Sequence, residues 1–153
     1  MNVNLKGTFL TCKYFCQESR LESLQSWKKN INNTYNTVAS IVNIGSVVGT
    51  YGNIGQSNYA ASKGGVTSLT RTLAKEVAPF GVRANVVLPG LVDTPMLQKV
   101  PNKYKEKLMN NNLTLKRFGT VEDVANLSLF LASEARSGYI TGQAIECSGM
   151  LAL

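Results

Sequence analysis

The sequence predicts an α/β chain built on a parallel sheet, and three observations carry that expectation. Residues 40–44 and 82–88 are unbroken, β-branched apolar runs, the hydrophobicity of strands buried on both faces. A long 3.6-period segment, residues 59–78, lies between them. A further helix and a last apolar run follow, so the order from residue 40 is strand, helix, strand, helix, strand, which calls for right-handed crossovers and parallel neighbours.

Each element has a local reason. Residues 3–17 place Val3, Leu5, Phe9, Leu10, Tyr14 and Phe15 at a spacing closer to 3.6 than to 2, and predict a helix. Residues 18–37 are rich in Ser, Asn, Gln and Lys and read as a helix end followed by a loop. Ser-Ile-Val-Asn-Ile at 40–44 is closed by Gly45 and reads as a buried strand. Residues 49–56 hold Gly49, Gly52 and Gly55 and read as a loop. In the helix over 59–78, Val66, Leu69, Leu73 and Val77 mark one face, and Pro79 with Gly81 stops it. The strand over 82–88 is broken by Pro89-Gly90. Residues 96–111 are helical but polar, the character of a lid helix. Thr120-Val121-Glu122-Asp123 has the form of a capping box and opens a helix through Ala132, and the last strand is expected at 143–147. The chain shows no internal repeat, low-complexity tract or linker.

Composition narrows the chemistry. The 153 residues are 44% hydrophobic, enough for one globular core. No apolar run approaches the ~20 residues that span a bilayer, so no membrane span is expected, nor is a secretory signal seen. Sixteen Lys and Arg against nine Asp and Glu give a net charge of +7, which permits an acidic partner. Only Lys28 with Lys29, and Lys103, Lys105 and Lys107, are dense, and no aromatic residues interleave with the basic ones. A nucleic-acid partner is therefore not expected. With no histidine, the commonest metal ligand and the commonest general base are both absent. Cys12, Cys16 and Cys147 form no C-x-x-C pair, so neither a metal site nor a disulfide framework is expected. Cys12 and Cys16, one helical turn apart, read as small buried hydrophobes in a reducing compartment. Catalysis, if any, falls to Tyr, Lys, Ser, Cys or carboxylates.

Ser46, Tyr59 and Lys63 supply such a set. Tyr59 and Lys63 are at i and i+4 near a helix start, so both side chains leave one face. A phenol of ordinary pKa near ~10 is a poor base at neutral pH, and an adjacent ammonium favours the phenolate. Ser46 sits at the C-terminal end of the preceding strand, where open α/β sheets place ligands, and its hydroxyl is suited to hold a carbonyl or alcohol oxygen beside the phenol. Tyr-x-x-x-Lys alone is common; a serine 13 residues upstream, at a strand end and before a Gly-rich segment, makes the pattern specific.

With these residues in view the sequence resembles the short-chain dehydrogenase/reductase family, whose members move a hydride between NAD or NADP and a carbonyl or alcohol. Four segments match family patterns, residues 2–10, 40–63, 85–94 and 117–149, and residues 17–39 match least. Within the family, residues 87–101 resemble the 17β-hydroxysteroid dehydrogenase type 8 group and the bacterial 3-oxoacyl-acyl-carrier-protein reductases. The resemblance implies roles. Asn4 would hold a water in a proton relay to Lys63, Ser46 would orient the substrate oxygen, and Tyr59 would donate or accept the proton. Tyr59 and Lys63 would also contact the cofactor, Lys63 through the nicotinamide ribose. Pro89 and Gly90 would let the backbone pass close to the nicotinamide, Val92 would bind the carboxamide through its backbone, and Thr94 would lie near the carboxamide and phosphates. The substrate implied is a 3-oxoacyl thioester or a 17β-hydroxysteroid.

The family's usual Val-Asp-Gly-Gly near the C-terminus is here Cys147-Ser148-Gly149-Met150. The family also opens with a strand and a Gly-rich turn that receives the pyrophosphate, and no such turn is present. Residues 1–153 are therefore expected to be the C-terminal part of a Rossmann-like, doubly wound parallel sheet: strands 5 to 7 of the family order 3-2-1-4-5-6-7, with flanking helices and without the N-terminal dinucleotide-binding half. Low stability and weak dinucleotide affinity are expected of such a chain alone. The resemblance further implies a homo- or hetero-tetramer through the helices that begin near Val3 and Tyr59, and an acyl carrier protein as a partner suited to the charge. It implies a mitochondrial-matrix location, with the cytoplasm as the alternative. The competing expectation is a noncatalytic half that serves only interaction or oligomerisation.

Overall fold

The computed structural model describes residues 1–30 and 37–151. Three strands, β1 (Ala39–Ile44), β2 (Val82–Pro89) and β3 (Ala144–Cys147), form a parallel sheet in the order β1-β2-β3. β1 pairs with β2 from Ala39↔Val82 to Ile44↔Val87, and β2 with β3 from Val86↔Ala144 to Pro89↔Cys147. Helices cover both faces, the arrangement of part of a Rossmann-like sheet.

Alternation along β2 assigns the faces, because successive side chains point to opposite sides. Val82 and Ala84 pack with Leu73, Ala74 and Val77, and Val86 and Leu88 with Val66, all on α4 (Ser57–Val77). Arg83 and Asn85 face the other way. Arg83 Nη1 donates to Leu131 O at 2.9 Å and Ile140 O at 3.2 Å, and Asn85 Nδ2 donates to Ile140 O at 2.8 Å. Those carbonyls belong to the end of α7 (Val121–Ala132) and to the connection into β3. Residues 82–88 are all buried, which is why this strand reads as continuous hydrophobicity interrupted only by polar residues with partners. Arg83 also pairs with Glu134 of the one-turn helix α8 (Glu134–Ser137), and Glu134 accepts a hydrogen bond from Thr37.

Helix boundaries follow local chemistry. α4 runs into a 3-10 turn, Ala78–Phe80, and stops at Gly81, whose φ of +72° is the left-handed conformation that glycine adopts without strain. Thr120 caps α7, accepting from Asp123 N while the Asp123 carboxylate accepts from Thr120 N, the expected capping box.

The structure corrects several expectations. Residues 3–17 are not one regular helix: a π-helical turn, Asn2–Gly7, leads into α1 (Thr8–Phe15). Part of the expected loop over 18–37 is a thirteen-residue helix, α2 (Glu18–Asn30), while residues 31–36 of that loop lie outside the described residues. α2 is polar, and Leu21, 3% exposed, docks it into the core formed by Cys12, Leu73 and Val77, so tertiary packing overrides a weak sequence pattern. The glycine-rich segment 49–56 contains a short helix, α3 (Val48–Tyr51). The polar helix over 96–111 is two helices, α5 (Pro95–Gln98) and α6 (Asn102–Asn112), with Pro101 between them.

Cys12 is buried and donates to Asn43 Oδ1 at 3.7 Å, while Cys16 is only half-buried; both are free, as is Cys147. Among the described residues, β1 has one strand partner, no helix is long and apolar enough to cross a membrane, and no His, Cys, Asp or Glu cluster is placed to hold a metal.

Candidate active site

The site begins where β1 ends. Two backbone bonds continue the ladder beyond the strand, Gly45 N to Val87 O at 2.7 Å and Val47 N to Pro89 O at 3.2 Å, and Ser46 is held between them. Ser46 is 6% exposed. Its Oγ accepts from Val48 N at 3.2 Å, a contact that uses a lone pair and leaves the hydroxyl proton for another acceptor.

α3 then folds back onto α4 through a contact only glycines permit. A Cβ at Gly49 would stand 2.7 Å from Gly64 N, and one at Gly64 would stand 3.0 Å from Gly49 O. This approach sets the chain after Ser46 against the turn of α4 that carries Lys63. Tyr51 adds a strut, its hydroxyl donating to Glu146 Oε1 at 2.6 Å and tying α3 to β3.

Tyr59 and Lys63 leave one face of α4, as their spacing predicts. Lys63 Nζ donates to Ile44 O at 2.9 Å and lies 5.9 Å from the centroid of the Tyr59 ring. The ammonium thus joins the last carbonyl of β1 to the tyrosine. Lys63 is half-buried, and burial lowers its pKa from the usual lysine value.

Asn4 lies in the π-helical turn, a geometry often found at functional positions. Its side chain does not contact Lys63: Nδ2 donates to Ser62 Oγ at 3.2 Å, and Ser62 Oγ donates to Tyr59 O at 2.8 Å. Asn4 O accepts from Thr8 Oγ1 at 2.7 Å. The structure ties Asn4 to α4 through the residue that precedes Lys63.

The second group gathers at the end of β2. Pro89, Gly90, Val92 and Thr94 line one cleft of about 550 Å³, closed on other sides by Leu97 of α5, Val100 of the turn that follows it and Leu108 of α6, and by Val121 and Val124 from α7. The close approach at Gly90 is to the protein itself, since a Cβ there would stand 2.8 Å from Ser148 Cα. Val92 bridges to Gly119, but the bridge's hydrogen bonds are Gly119 N to Leu91 O and Asp93 N to Gly119 O, so the Val92 amide is not consumed by it. Thr94 precedes α5, and its carbonyl accepts from Gln98 N at 3.0 Å. Nearby, Arg117 grips Asp123 with bonds of 2.6 and 3.2 Å. With the Thr120 amide it holds the Asp123 carboxyl at about 2, which fixes the start of α7 at the cleft.

Seven of the eight expected residues therefore lie past the C-terminal ends of two strands or on the helix beside them, Ser46, Tyr59 and Lys63 at the exit of β1 and Pro89, Gly90, Val92 and Thr94 at the exit of β2, while Asn4 reaches α4 from the N-terminal turn through Ser62. Sequence reasoning missed Ser62, Tyr51 with Glu146, and Gln56, which lines the cleft at the start of α4. It also missed the carbonyl of Ile44, a backbone atom no side-chain pattern announces.

A family model described as enoyl-(acyl carrier protein) reductase matches residues 1–149. The chain is 48% identical to a (3R)-3-hydroxyacyl-CoA dehydrogenase of Rattus norvegicus over 149 residues, covering 97% of this chain and 52% of that protein. It is 43% identical to the 3-oxoacyl-[acyl-carrier-protein] reductase FabG of Thermotoga maritima over 157 residues, covering 100% of this chain and 56% of that one. It is 47% identical to an estradiol 17-beta-dehydrogenase 8 sequence of Callithrix jacchus over 140 residues, covering 92% and 93%. The chain spans about half the length of the rat and Thermotoga proteins. Together with the Rossmann-like sheet and the matched model, these likenesses show that the chain belongs to the short-chain dehydrogenase/reductase family.

Proposed function

We propose that the chain carries the proton-transfer side of an NAD- or NADP-dependent oxidoreductase that interconverts a ketone and a secondary alcohol, with a 3-oxoacyl thioester as the preferred substrate and a 17β-hydroxysteroid as the other. The observation that carries the reading is Lys63, whose ammonium lies 5.9 Å from the centroid of the Tyr59 ring and 2.9 Å from the carbonyl of Ile44, the last residue of β1 and two before the buried Ser46. Residues 1–153 are read as the C-terminal portion of one such domain, a reading supported by coverage of 52% of the rat relative.

When bound, the nicotinamide supplies or takes up the hydride. The residues present fit that group: the Val92 amide is uncommitted, and the cleft beside Pro89 and Thr94 is largely apolar. In this reading Ser46 donates its hydroxyl proton to the substrate oxygen and holds it beside Tyr59. Tyr59 passes the proton to or from that oxygen. Lys63 keeps positive charge at the phenol and binds the ribose. Asn4 stands on the relay that returns protons to Lys63, steadied by its bond to Ser62. Val92 and Thr94 orient the carboxamide, and Pro89 and Gly90 form the wall it lies against.

The test is reduction of a 3-oxoacyl thioester by NADH and, separately, by NADPH. Tyr59→Phe is expected to lower kcat by roughly 10²–10⁴-fold, the range of a positioned general acid. Tyr59→Phe retaining the parent rate overturns the assignment. A second reading, a noncatalytic half that only assembles with other subunits, is favoured by Val3, Leu10 and Tyr14, apolar side chains exposed along the N-terminal turn and α1. Tetramer formation, with itself or with a related reductase subunit, belongs to both readings. A mitochondrial-matrix location, with the cytoplasm as alternative, and an acyl carrier protein partner come from the resemblance. Assembly without turnover supports the second reading.

A further inference from the structure

The orientation of Ser46 depends on the turn that follows it. Its Oγ takes the amide of Val48, the first residue of α3, at 3.2 Å. α3 is one turn long and has no buried residue, and a single turn does not sustain itself. The chain beyond it is loosely bounded: Gly52 and Gly55 have φ of +75° and +78°, and a Cβ at either would meet nothing within 4 Å. Contacts from other elements therefore hold α3. Near its start Gly49 rests on Gly64 of α4, and at its last residue Tyr51 donates to Glu146, 95 residues away on β3. Glu146 pairs with Leu88 in the sheet and leaves it on the α4 face, as Leu88 does. Its Oε1 takes the Tyr51 hydroxyl at 2.6 Å, the length of a charge-assisted bond, and its Oε2 takes Ser148 Oγ at 3.4 Å. Because β2 lies between β1 and β3, the strut joins the exits of the two outer strands across the end of the middle one. Ser148 in turn is the residue that Gly90, at that middle exit, lies against.

We propose that Glu146 is a positioning residue of the active site, acting through Tyr51 and α3 to keep the Val48 amide on Ser46 Oγ, so that the serine hydroxyl points at the substrate oxygen. The inference rests on the ketone and alcohol reading above and adds to it a residue outside the reacting groups. Tyr51 is 59% exposed and Glu146 is exposed too, so their bond contributes little to global stability. Its effect is local. Releasing Tyr51 leaves the C-terminal end of α3 without an anchor on the sheet, and the Val48 amide moves with the turn it begins. A serine that has lost its orienting donor still admits substrate, but holds the reacting oxygen in the wrong place, which slows the chemical step more than it weakens binding.

The test follows two readouts on the 153-residue chain and its variants: reduction of a 3-oxoacyl thioester, and amide hydrogen exchange by NMR. Tyr51→Phe and Glu146→Ala are each expected to lower kcat about five- to tenfold with KM within about twofold, the pattern of an interaction realised in the transition state. Glu146→Gln keeps an oxygen for the Tyr51 hydroxyl and is expected to return kcat to within about threefold of the parent. Tyr51→Phe combined with Glu146→Ala should be no slower than the slower single variant, since both remove one strut. In a Ser46→Ala background Tyr51→Phe is expected to change kcat by less than about twofold, whereas a general loss of structure would lower it there as well. Exchange at the amides of residues 48–52 is expected to quicken at least about threefold in Tyr51→Phe and Glu146→Ala, with exchange along β2 unchanged. Both side chains are exposed, and circular dichroism checks that the variants fold. Parent kcat in both single variants, an undiminished effect of Tyr51→Phe in the Ser46→Ala background, or unchanged exchange over residues 48–52 overturns the proposal. Absence of turnover in the parent chain defeats the oxidoreductase reading instead, and exchange then decides the strut by itself: quickened over residues 48–52 it upholds the hold on α3, unchanged it overturns it.

Discussion

Met150 should be less stabilising than glycine at its position. It has φ of +56° and directly follows Gly149 at +61°, so two successive residues occupy the left-handed region. The first is a glycine and the second is not, in a chain whose family pattern places glycine at both. An L-residue in that region carries roughly 1–2 kcal/mol of steric cost from its Cβ. Glycine removes this but adds about 0.5–1 kcal/mol of chain entropy lost on folding. Met150 is 76% exposed, so its side chain contributes little burial that would be lost. The conformation is imposed by its surroundings: Thr114 N and Oγ1 donate to Met150 O at 3.4 and 3.1 Å, Leu115 N donates to Gly149 O at 3.3 Å, and Leu113 bridges Leu151. Met150→Gly is therefore expected to stabilise the chain by roughly 0.5–1 kcal/mol, a rise in Tm of about 1–4 °C for a chain of this size. Met150→Ala keeps the Cβ and should show no such gain. Thermal unfolding followed by circular dichroism decides it: equal gains for alanine and glycine, or a loss with glycine, would refute the argument from φ.

Two other perturbations follow from the same reasoning. Glu134→Ala should cost about 2–3 kcal/mol in urea unfolding. It leaves the buried Arg83 guanidinium, whose Nη2 already lacks a partner, with Nε unpaired as well. The cost is held below the usual 3–5 kcal/mol because Glu134 is 20% exposed and Nη1 keeps two carbonyls. A cost under about 1 kcal/mol would count against it. Lys63 has its folded pKa lowered by burial, so the unfolded chain binds more protons between that value and the ordinary 10.5. Stability from this group is greatest above 10.5 and is lost as pH falls through the lowered folded pKa. Between the two, parent stability should rise with pH relative to Lys63→Met, and parallel pH profiles would contradict the assignment.

What the sequence made legible was what regular periodicity or short spacing encodes. β2 could be read because it is buried on both faces, and α4 because Val66, Leu73 and Val77 repeat along one side. Tyr59 and Lys63 could be paired because four residues of helix bring them together. α2 could not, since a mainly polar segment is held by the burial of Leu21, a contact visible only once the core exists. α3 escaped for a related reason. Its glycines signal a loop locally, yet Gly49 is there so that a helix turn can rest on Gly64, and the two are far apart in sequence. Asn4 was identified from its resemblance, but its immediate partner, Ser62, lies 58 residues away.

The parallel register explains why the site forms at all. Ile44 pairs with Val87 and Pro89 with Cys147, so the segments that leave β1, β2 and β3 emerge at one edge, Val47 bonded to Pro89 and Gly90 set against Ser148. A slip of one residue between β1 and β2 would turn every side chain of one strand to the opposite face, placing Asn43 out of reach of Thr70 and removing the ladder that frames Ser46. The most constrained group is thus Ser46, itself buried and framed by the end of β2, whose residues 82–88 are all buried. Tyr59 and Lys63 come next, on a helix packed along that strand, and α6 is the least constrained, having no buried residue. That gradient matches the demands of the proposed chemistry. The groups that hold and protonate one oxygen need fixed positions, whereas the cleft wall that α6 supplies needs room to adjust.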